Sequence, residues 1–359
     1  MKKIWFSTLI TLPTIAFAQS EASICINEIM QSNIDCLMIE HDFPDSWVEL
    51  YNPTDDDIAL KGYFLGTTND VMSAYQFISS DTIYAHGYFL ILCDKNATEL
   101  HTDFRLESTS GGTLYLFDAT ESLVASLSYP AMLAPNIAYG RSLDGFEEWG
   151  WELTPTPGST NEGGFSTILL PEPIFSMKGQ VMTSSASLSI TMPDGDYPDD
   201  TKIYLTTDGK EPTASSSSGT EFTFDITENT VIRAKLISES ALSRRSTANS
   251  YIFHPRTTSL PIISILTDED YLYSDSVGIL SSARTNNDYN FNYDWRRPVN
   301  TEYFDASNGS AWFNQLGEVA VGGNYTRSIN FAQKSLKLYA NKRFGTKNFK
   351  GTFWDIIFC

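Results

Sequence analysis

Short runs in which apolar and polar residues alternate recur along this chain and limit its fold to β-sheet. A period of two places successive side chains on opposite faces of a strand, whereas an amphipathic helix needs a period of about 3.6 residues. Gly, Asn, Asp and Pro separate the runs, as they do at turns between strands. In the first half of the chain the runs are Ile24–Ile29, Trp47–Tyr51, Ile58–Leu65, Tyr88–Cys93, Thr113–Phe117 and Leu123–Tyr129. The pattern predicts a mainly β protein built from sandwich domains.

Residues 1–18 have the layout of a secretory signal peptide. Two lysines precede the apolar stretch Ile4–Ile15, and Ala16 and Ala18 supply the small residues that signal peptidase reads. We expect cleavage before Gln19 and a bacterial protein that is secreted or held at the cell surface. The apolar stretch is shorter than the roughly 20 residues of a membrane-spanning helix, so no membrane span is expected in the mature form.

Net charge excludes one class of partner, and the cysteines leave the disulfide pairing undecided. The formal net charge of −20 argues against nucleic acid, because phosphate binding needs clustered Lys and Arg. Cys36 and Cys93 could form a disulfide in an oxidising compartment, or the thiols could be buried as small hydrophobic groups. The sequence leaves the pairing among Cys25, Cys36, Cys93 and Cys359 open.

A first block, residues 23–160, ends in a stretch rich in Pro, Gly and Ser that cannot continue a helix or an interior strand. The block resembles a lamin-tail domain. The resemblance rests on INEIM from Ile26, DSWVELYNP from Asp45, LKGYFL from Leu60, AHGYFL from Ala85 and TPGSTN from Thr156. It implies an immunoglobulin-like sandwich that serves, in bacteria, for adhesion or docking and brings no catalytic residues.

Four polar residues of this block, Asn27, Glu28, Glu49 and Asn52, stand inside the motif itself. Such residues at strand ends usually hydrogen-bond to nearby backbone. We therefore interpret them as structural residues and not as a binding site.

A second block, residues 170–254, resembles the C-terminal-like domain of chitobiases and β-hexosaminidases. The matching segments are YLTTDGKEPT from Tyr204 and VIRAK from Val231. The resemblance implies a second β-sandwich that accompanies carbohydrate enzymes without cutting sugars. Tyr197, Tyr204 and Tyr251 could stack on a sugar ring, although tyrosines on strands more often pack the core. An extracellular protein or a polysaccharide is the expected partner.

A third block, residues 259–359, resembles the N-terminal part of the spore-coat CotH kinase family. The resemblance rests on LPIIS from Leu260, RPVNTEYFD from Arg297, a glycine-containing loop that ends at Arg327, and KSLKLYA from Lys334. Strand Arg296–Asp305 is predicted to pair with strand Leu316–Val321. The resemblance implies an incomplete α+β kinase-like N-lobe.

The resemblance to a kinase suggests two cations for the phosphates of ATP. Phosphoryl transfer needs a cation on the phosphates, acidic ligands for Mg²⁺ and a base for the acceptor. Lys334, predicted on a strand after a glycine-containing turn, is the first candidate, and Arg327 is the second. Each could equally be an exposed loop or strand-end cation. The half with the catalytic and metal-binding aspartates does not occur before Cys359, so ATP and Mg²⁺ belong only to an intact domain.

Other catalytic and metal-binding signatures do not occur. The four histidines show no ligand spacing, and there is no P-loop, HExxH or GxSxG motif, so we expect neither a metal nor a catalytic residue. The sequence therefore predicts a secreted or cell-surface binding and adhesion protein that is non-catalytic as the chain stands. The alternative is a fragment of a secreted CotH-like atypical protein kinase that uses ATP and is targeted by its β-sandwich modules.

Overall fold

The computed structural model describes residues 23–162, 164–253, 260–282, 288–305 and 308–350. The protein is mainly β, with 40% strand and 4% helix. The described residues form six sheets, which fall into three modules along the chain. The predicted signal peptide and Cys359 lie outside the described residues.

The first module, residues 23–162, is a β-sandwich. Its strands are β1 (Cys25–Met30), β2 (Trp47–Tyr51), β3 (Ile58–Ala59), β4 (Phe64–Gly66), β5 (Tyr75–Gln76), β6 (Thr82–Ile83), β7 (Tyr88–Leu92), β8 (Gly112–Phe117), β9 (Leu123–Tyr129), β10 (Ala138–Arg141) and β11 (Trp149–Trp151), with a 3-10 turn at Val71–Ser73. One sheet has the order β11-β10-β1-β2-β7, another β5-β4-β8-β9, and β3 pairs with β6. Val48 and Leu50 of the first sheet share a buried core with Leu114 and Leu116 of the second.

The second module, residues 164–253, is also a sandwich. Its strands are β12 (Ile174–Phe175), β13 (Gln180–Met182), β14 (Ala186–Thr191), β15 (Lys202–Thr206), β16 (Ser217–Gly219), β17 (Glu221–Ile226), β18 (Thr230–Ile237) and β19 (Thr247–Phe253). The sheet β12-β14-β17 faces the sheet β13-β19-β18-β15-β16, in which β13 and β19 run parallel. Leu188 and Ile190 from one sheet pack with Ile203 and Ile232 from the other.

The third module contains one antiparallel sheet, β20-β21-β22-β23. Its elements are β20 (Ile262–Leu266), α1 (Glu269–Tyr273), β21 (Arg297–Phe304), β22 (Ala311–Gly322) and β23 (Ser335–Tyr339), with 3-10 turns at Asn290–Asn292 and Lys342–Phe344. Val299, Val319 and Val321 pack with Phe291 and Trp295 on one face of this sheet. By the period of two, Asn300 and Glu302 lie on the opposite face, which meets the second module.

Apolar contact joins the first two modules. Leu242 of the second module packs on Met132, Ala134 and Ile137 of the first. A parallel β-bridge between Leu169 and Leu242 holds that segment in place.

Buried ion pairs join the modules as well. Arg343 of the third module pairs with Glu318, lies 3.7 Å (Nε to Oδ1) from Asp45 of the first, and donates to the Phe43 carbonyl at 2.8 Å. Arg245 of the second module pairs with Asp35 of the first. Because such pairs lose solvation on burial, they fix a docked arrangement more than they add stability.

Several predicted strands are confirmed, and one is wrong. β2 and β9 span the predicted residues, and β21 pairs with β22, with Arg297 opposite Val319. The run Ile58–Leu65 is not one strand, because a turn at Gly62, with a φ of +90°, divides it into β3 and β4. Glycine adopts this left-handed conformation without steric strain.

The kinase-like N-lobe expected for residues 259–359 is not shown. In the described part of the third module the α-helical content is α1, which has five residues. Among all described residues, no helix combines the length and the apolar character needed to cross a membrane.

Candidate functional site

The polar residues of the INE and WVELYN strands converge on the segment that closes the first module. Asn27 Nδ2 lies 3.0 Å from Glu49 Oε1 and 3.0 Å from Asp144 Oδ1. The backbone N–H of Gly158 donates to Glu49 Oε2 at 2.6 Å. The N–H of Thr156 donates to Glu28 Oε1 at 3.1 Å. The segment Thr156–Asn161 is therefore fastened across the ends of β1 and β2.

Two carboxyl groups in this cluster, those of Glu49 and Glu152, favour the protonated form at neutral pH. Burial raises the pKa of Glu49 to about 8 and also raises that of Glu28. Burial, followed by the charge of Glu28, raises the pKa of Glu152 to about 10. The carboxyls of Glu28 and Glu152 hydrogen-bond to each other, which requires that they share a proton. A Cβ at Gly140 would stand 2.0 Å from Glu152 Oε1, so the close approach needs glycine there.

This cluster is closed to ligands. Asn27, Glu28, Glu49 and Asn52 have no exposed surface. Asn52 accepts from the N–H of Thr54 at 3.0 Å and donates to backbone carbonyls. The interpretation of these four residues as backbone-bonding structural groups is confirmed.

Lys334 directly precedes β23 and turns back onto its own loop. Its Nζ donates to the carbonyls of Ser328, at 2.8 Å, and Phe331, and lies 4.3 Å from the centroid of the Phe291 ring. The loop thus uses the Lys334 ammonium to satisfy its own carbonyls. Contact between Lys334 and the phosphates of ATP in an intact kinase-like domain stays a prediction.

Arg327 is engaged in a comparable way. It pairs with Asp294 and donates to the carbonyls of Asn292, at 3.1 Å, and Val321, at 2.7 Å. The structure brings Arg327 and Lys334 to the same loop after β22, but each has protein partners there.

Two of the three tyrosines proposed for sugar stacking pack within the second module. Tyr251 is fully buried, and its hydroxyl donates to the Met177 carbonyl at 2.6 Å, so it cannot stack on a ligand. Tyr197 packs against the same core and donates to the Asp194 carbonyl at 3.3 Å. Tyr204 is half-buried on β15.

An open cleft of about 580 Å³ lies where the three modules meet; we call it the junction cleft. Ala134 and Pro135 of the first module line it, with Glu172, Phe175, Lys178 and residues 244–249 of the second and Asn300, residues 311–316 and Phe344 of the third. Its volume lies within the roughly 300–1,000 Å³ typical of small-ligand sites. The docking of the modules thus creates a cleft that none of them forms alone.

Trp312 forms an aromatic wall of the junction cleft, and 44% of its surface is exposed. Its ring stacks on Tyr303, with centroids 5.2 Å apart, and its Nε1 donates to Asp305 Oδ2 at 3.0 Å. The indole is therefore held in one orientation while part of its apolar surface remains open. The sequence motifs gave no sign of this role, although an exposed Trp beside amide residues on a strand was available as a signal.

Amide groups from the same sheet as Trp312 also line the cleft. Asn300 Nδ2 is buried and has no hydrogen-bond partner among the described residues. Asn314 Nδ2 donates to the Ala248 carbonyl at 2.6 Å and to Glu302 Oε1 at 3.2 Å. A buried donor without a partner at a cleft is costly unless a ligand or water satisfies it.

Glu302 lies behind these amides, between the second and third modules. Its Oε1 accepts from the Ser250 N–H at 3.2 Å, and Oε2 has no partner in the described part of the chain. Burial raises the pKa of Glu302 to about 7. No group of three or more His, Cys, Asp or Glu side chains within the described ranges is arranged to hold a metal ion.

The fold and the junction cleft define a modular, mainly β protein with an open site between its modules. Residues 18–131 match the family model of the Lamin Tail Domain, and residues 177–248 match that of the Chitobiase/beta-hexosaminidase C-terminal domain. Both immunoglobulin-like resemblances are thus confirmed. Neither matched range reaches the third block. No curated protein sequence matches the chain.

Proposed function

We propose that this protein is a non-catalytic binding and adhesion protein that acts outside the cell or at its surface. The observation that carries the proposal is the junction cleft, to which all three modules contribute. Open aromatic surface and unpaired amide groups in a cleft are features of recognition sites. The two matched families support the proposal, since one is named for a domain of carbohydrate-processing enzymes.

The chemistry of the cleft favours binding over catalysis. Most charged groups along its sides have protein partners: Arg245 pairs with Asp35, Arg244 Nε donates to the Leu170 carbonyl at 3.1 Å, and Glu172 accepts from Thr247 at 3.1 Å. A general acid or base needs a titratable group within reach of the substrate. Glu302, whose pKa lies near neutrality, is almost fully buried behind Asn314.

The alternative of a CotH-like kinase fragment has less support. The two residues proposed for ATP phosphates, Lys334 and Arg327, donate to carbonyls of their own module.

Export rests on the signal-peptide pattern of residues 1–18, which also predicts a mature chain that begins at Gln19.

To test the proposed function, the full chain is expressed in a bacterium and recovered from the periplasm or the medium. Mass spectrometry should show an amino terminus at Gln19. The purified protein is then mixed with insoluble chitin, cellulose, peptidoglycan sacculi and whole bacterial cells, and depletion from solution is measured with albumin as a control. Saturable binding to at least one surface is expected. An unprocessed cytosolic chain, or no binding to any of these surfaces, would refute the proposal.

The kinase alternative is tested on the same material. Radiolabelled ATP with Mg²⁺ should give no phosphate transfer to general acceptor proteins or to the chain itself. Magnesium-dependent transfer that disappears in Lys334→Ala would contradict a purely binding function.

A further inference from the structure

The junction cleft combines an apolar platform with hydrogen-bonding amides, and this pairing points to one class of ligand. Sugar rings present apolar C–H faces that suit an aromatic surface, and their hydroxyls both donate and accept hydrogen bonds. Trp312 supplies the aromatic surface, and because one ring face lies on Tyr303, its exposed area belongs to the other face and the edge.

Two amides supply complementary polar groups. Asn300 Nδ2 is a donor without a partner in the described chain. Asn314 uses its Nδ2 on Ala248 and Glu302, which leaves its Oδ1 as an acceptor. A donor and an acceptor on paired strands β21 and β22 suit neighbouring hydroxyls of one sugar, since cross-strand neighbours lie roughly 5–8 Å apart.

The charge of the cleft disfavours anionic ligands. Arg244 and Arg245 are occupied by a carbonyl and a carboxylate of the protein, and Lys178 is the exposed cation that lines the cleft. The chain as a whole carries a net charge of −20. An acidic polymer would meet repulsion over most of the surface, whereas a neutral one would not.

We propose that the junction cleft binds an uncharged oligosaccharide, with Trp312 as the stacking surface, Asn300 as a donor and Asn314 as an acceptor. The inference rests on the proposed binding function and adds to it a ligand class and a site. The site exists only in the docked protein, because its walls come from different modules. Trp312 contributes most to affinity, because the ligand covers the exposed part of its ring and aromatic side chains buried in this way dominate recognition.

To test the inference, binding of the full-length protein is measured on a glycan array that carries neutral and uronic-acid oligosaccharides. The strongest neutral ligand is then titrated by calorimetry against wild type, Trp312→Ala, Trp312→Phe and Asn300→Ala. Tyr84→Ala is the matched control, because Tyr84 is 71% exposed on the first module and does not line the cleft. Thermal unfolding of each variant checks that it remains folded.

The inference predicts that Trp312→Ala raises Kd by about 10- to 30-fold. Trp312→Phe should recover part of the affinity, Asn300→Ala should weaken binding about tenfold, and Tyr84→Ala should match wild type. Neutral-glycan binding that is unchanged in folded Trp312→Ala would overturn the site while leaving the proposed function intact. Binding confined to uronic acids, or attachment to cells without any glycan signal, would overturn the ligand class. No binding to glycans or to any cell or polymer surface would overturn both proposals.

Discussion

Replacing Glu302 by Gln should remove a pH dependence from the stability of the contact between the second and third modules. Glu302 is 1% exposed, and its Oε1 accepts from the Ser250 N–H and from Asn314 Nδ2. Burial raises the pKa of its carboxyl from 4.5 to about 7. Gln has the shape of the protonated acid and keeps the same accepting oxygen, so the variant mimics the neutral state.

The sign of the effect follows from proton binding. Because the folded pKa is higher than the unfolded one, the folded state binds the extra proton between the two values, and stability falls as pH rises. The contribution is fully present below about pH 4.5 and is lost as pH rises through about 7. A shift from 4.5 to about 7 corresponds to about 3 kcal/mol of unfolding free energy, at about 1.4 kcal/mol for each pH unit.

Urea unfolding at a series of pH values between about 4 and 9 measures the effect. The raised pKa values of Glu49 and Glu152 act equally in wild type and variant, so they cancel in the difference between the two. The unfolding free energy of Glu302→Gln relative to wild type should rise by about 3 kcal/mol from the lowest to the highest pH of the series. The exposed Glu221→Gln is the control and should show a constant difference. A constant difference for Glu302→Gln would show that Glu302 does not bind the extra proton in the folded state.

Three further variants change a module contact, the buried acid pair and the loop after β22. Arg343→Ala removes the buried partner of Glu318 but leaves Arg296 paired with it at 3.3 Å, so unfolding free energy should fall by about 3 kcal/mol or less in urea titrations, and joint replacement with Glu318→Leu should cost less still. Gly140→Ala places a methyl group 2.0 Å from Glu152 Oε1 and should lower the melting temperature by several degrees; an unchanged melting temperature would contradict the close approach. Lys334→Ala removes two donations to loop carbonyls and should speed proteolysis between residues 323 and 334, without loss of glycan binding.

Local alternation between turns was enough to predict β2 and β9, although β2 is buried on both faces. β2 and β9 match their predicted bounds because turns flank clear alternating runs. β10 was not predicted, because Ala138–Arg141 is short, contains Gly140 and carries no β-branched residue. Its place in the sheet is set by tertiary contact, with Glu28 opposite Gly140.

Neither the polar cluster of the first module nor the junction cleft could be predicted from local pattern, because the members of each are distant in sequence. Asn27 meets Asp144 across 117 residues, and Asn314 meets Ala248 across 66. Sequence motifs identified the first and second modules. The junction cleft depends on how the modules dock, and docking leaves no periodic pattern in the sequence. The same holds for Glu302, since its raised pKa follows from burial against Ser250 of another module.

Hydrogen exchange measured along the chain can show whether docking of the three modules builds the binding site. Exchange is followed by mass spectrometry with and without the neutral oligosaccharide that binds best on the array. We expect the ligand to slow exchange together in residues 244–249 of the second module and 311–316 of the third, on the two sides of the junction cleft. Protection confined to the β15 strand around Tyr204, or to the first module alone, would contradict it.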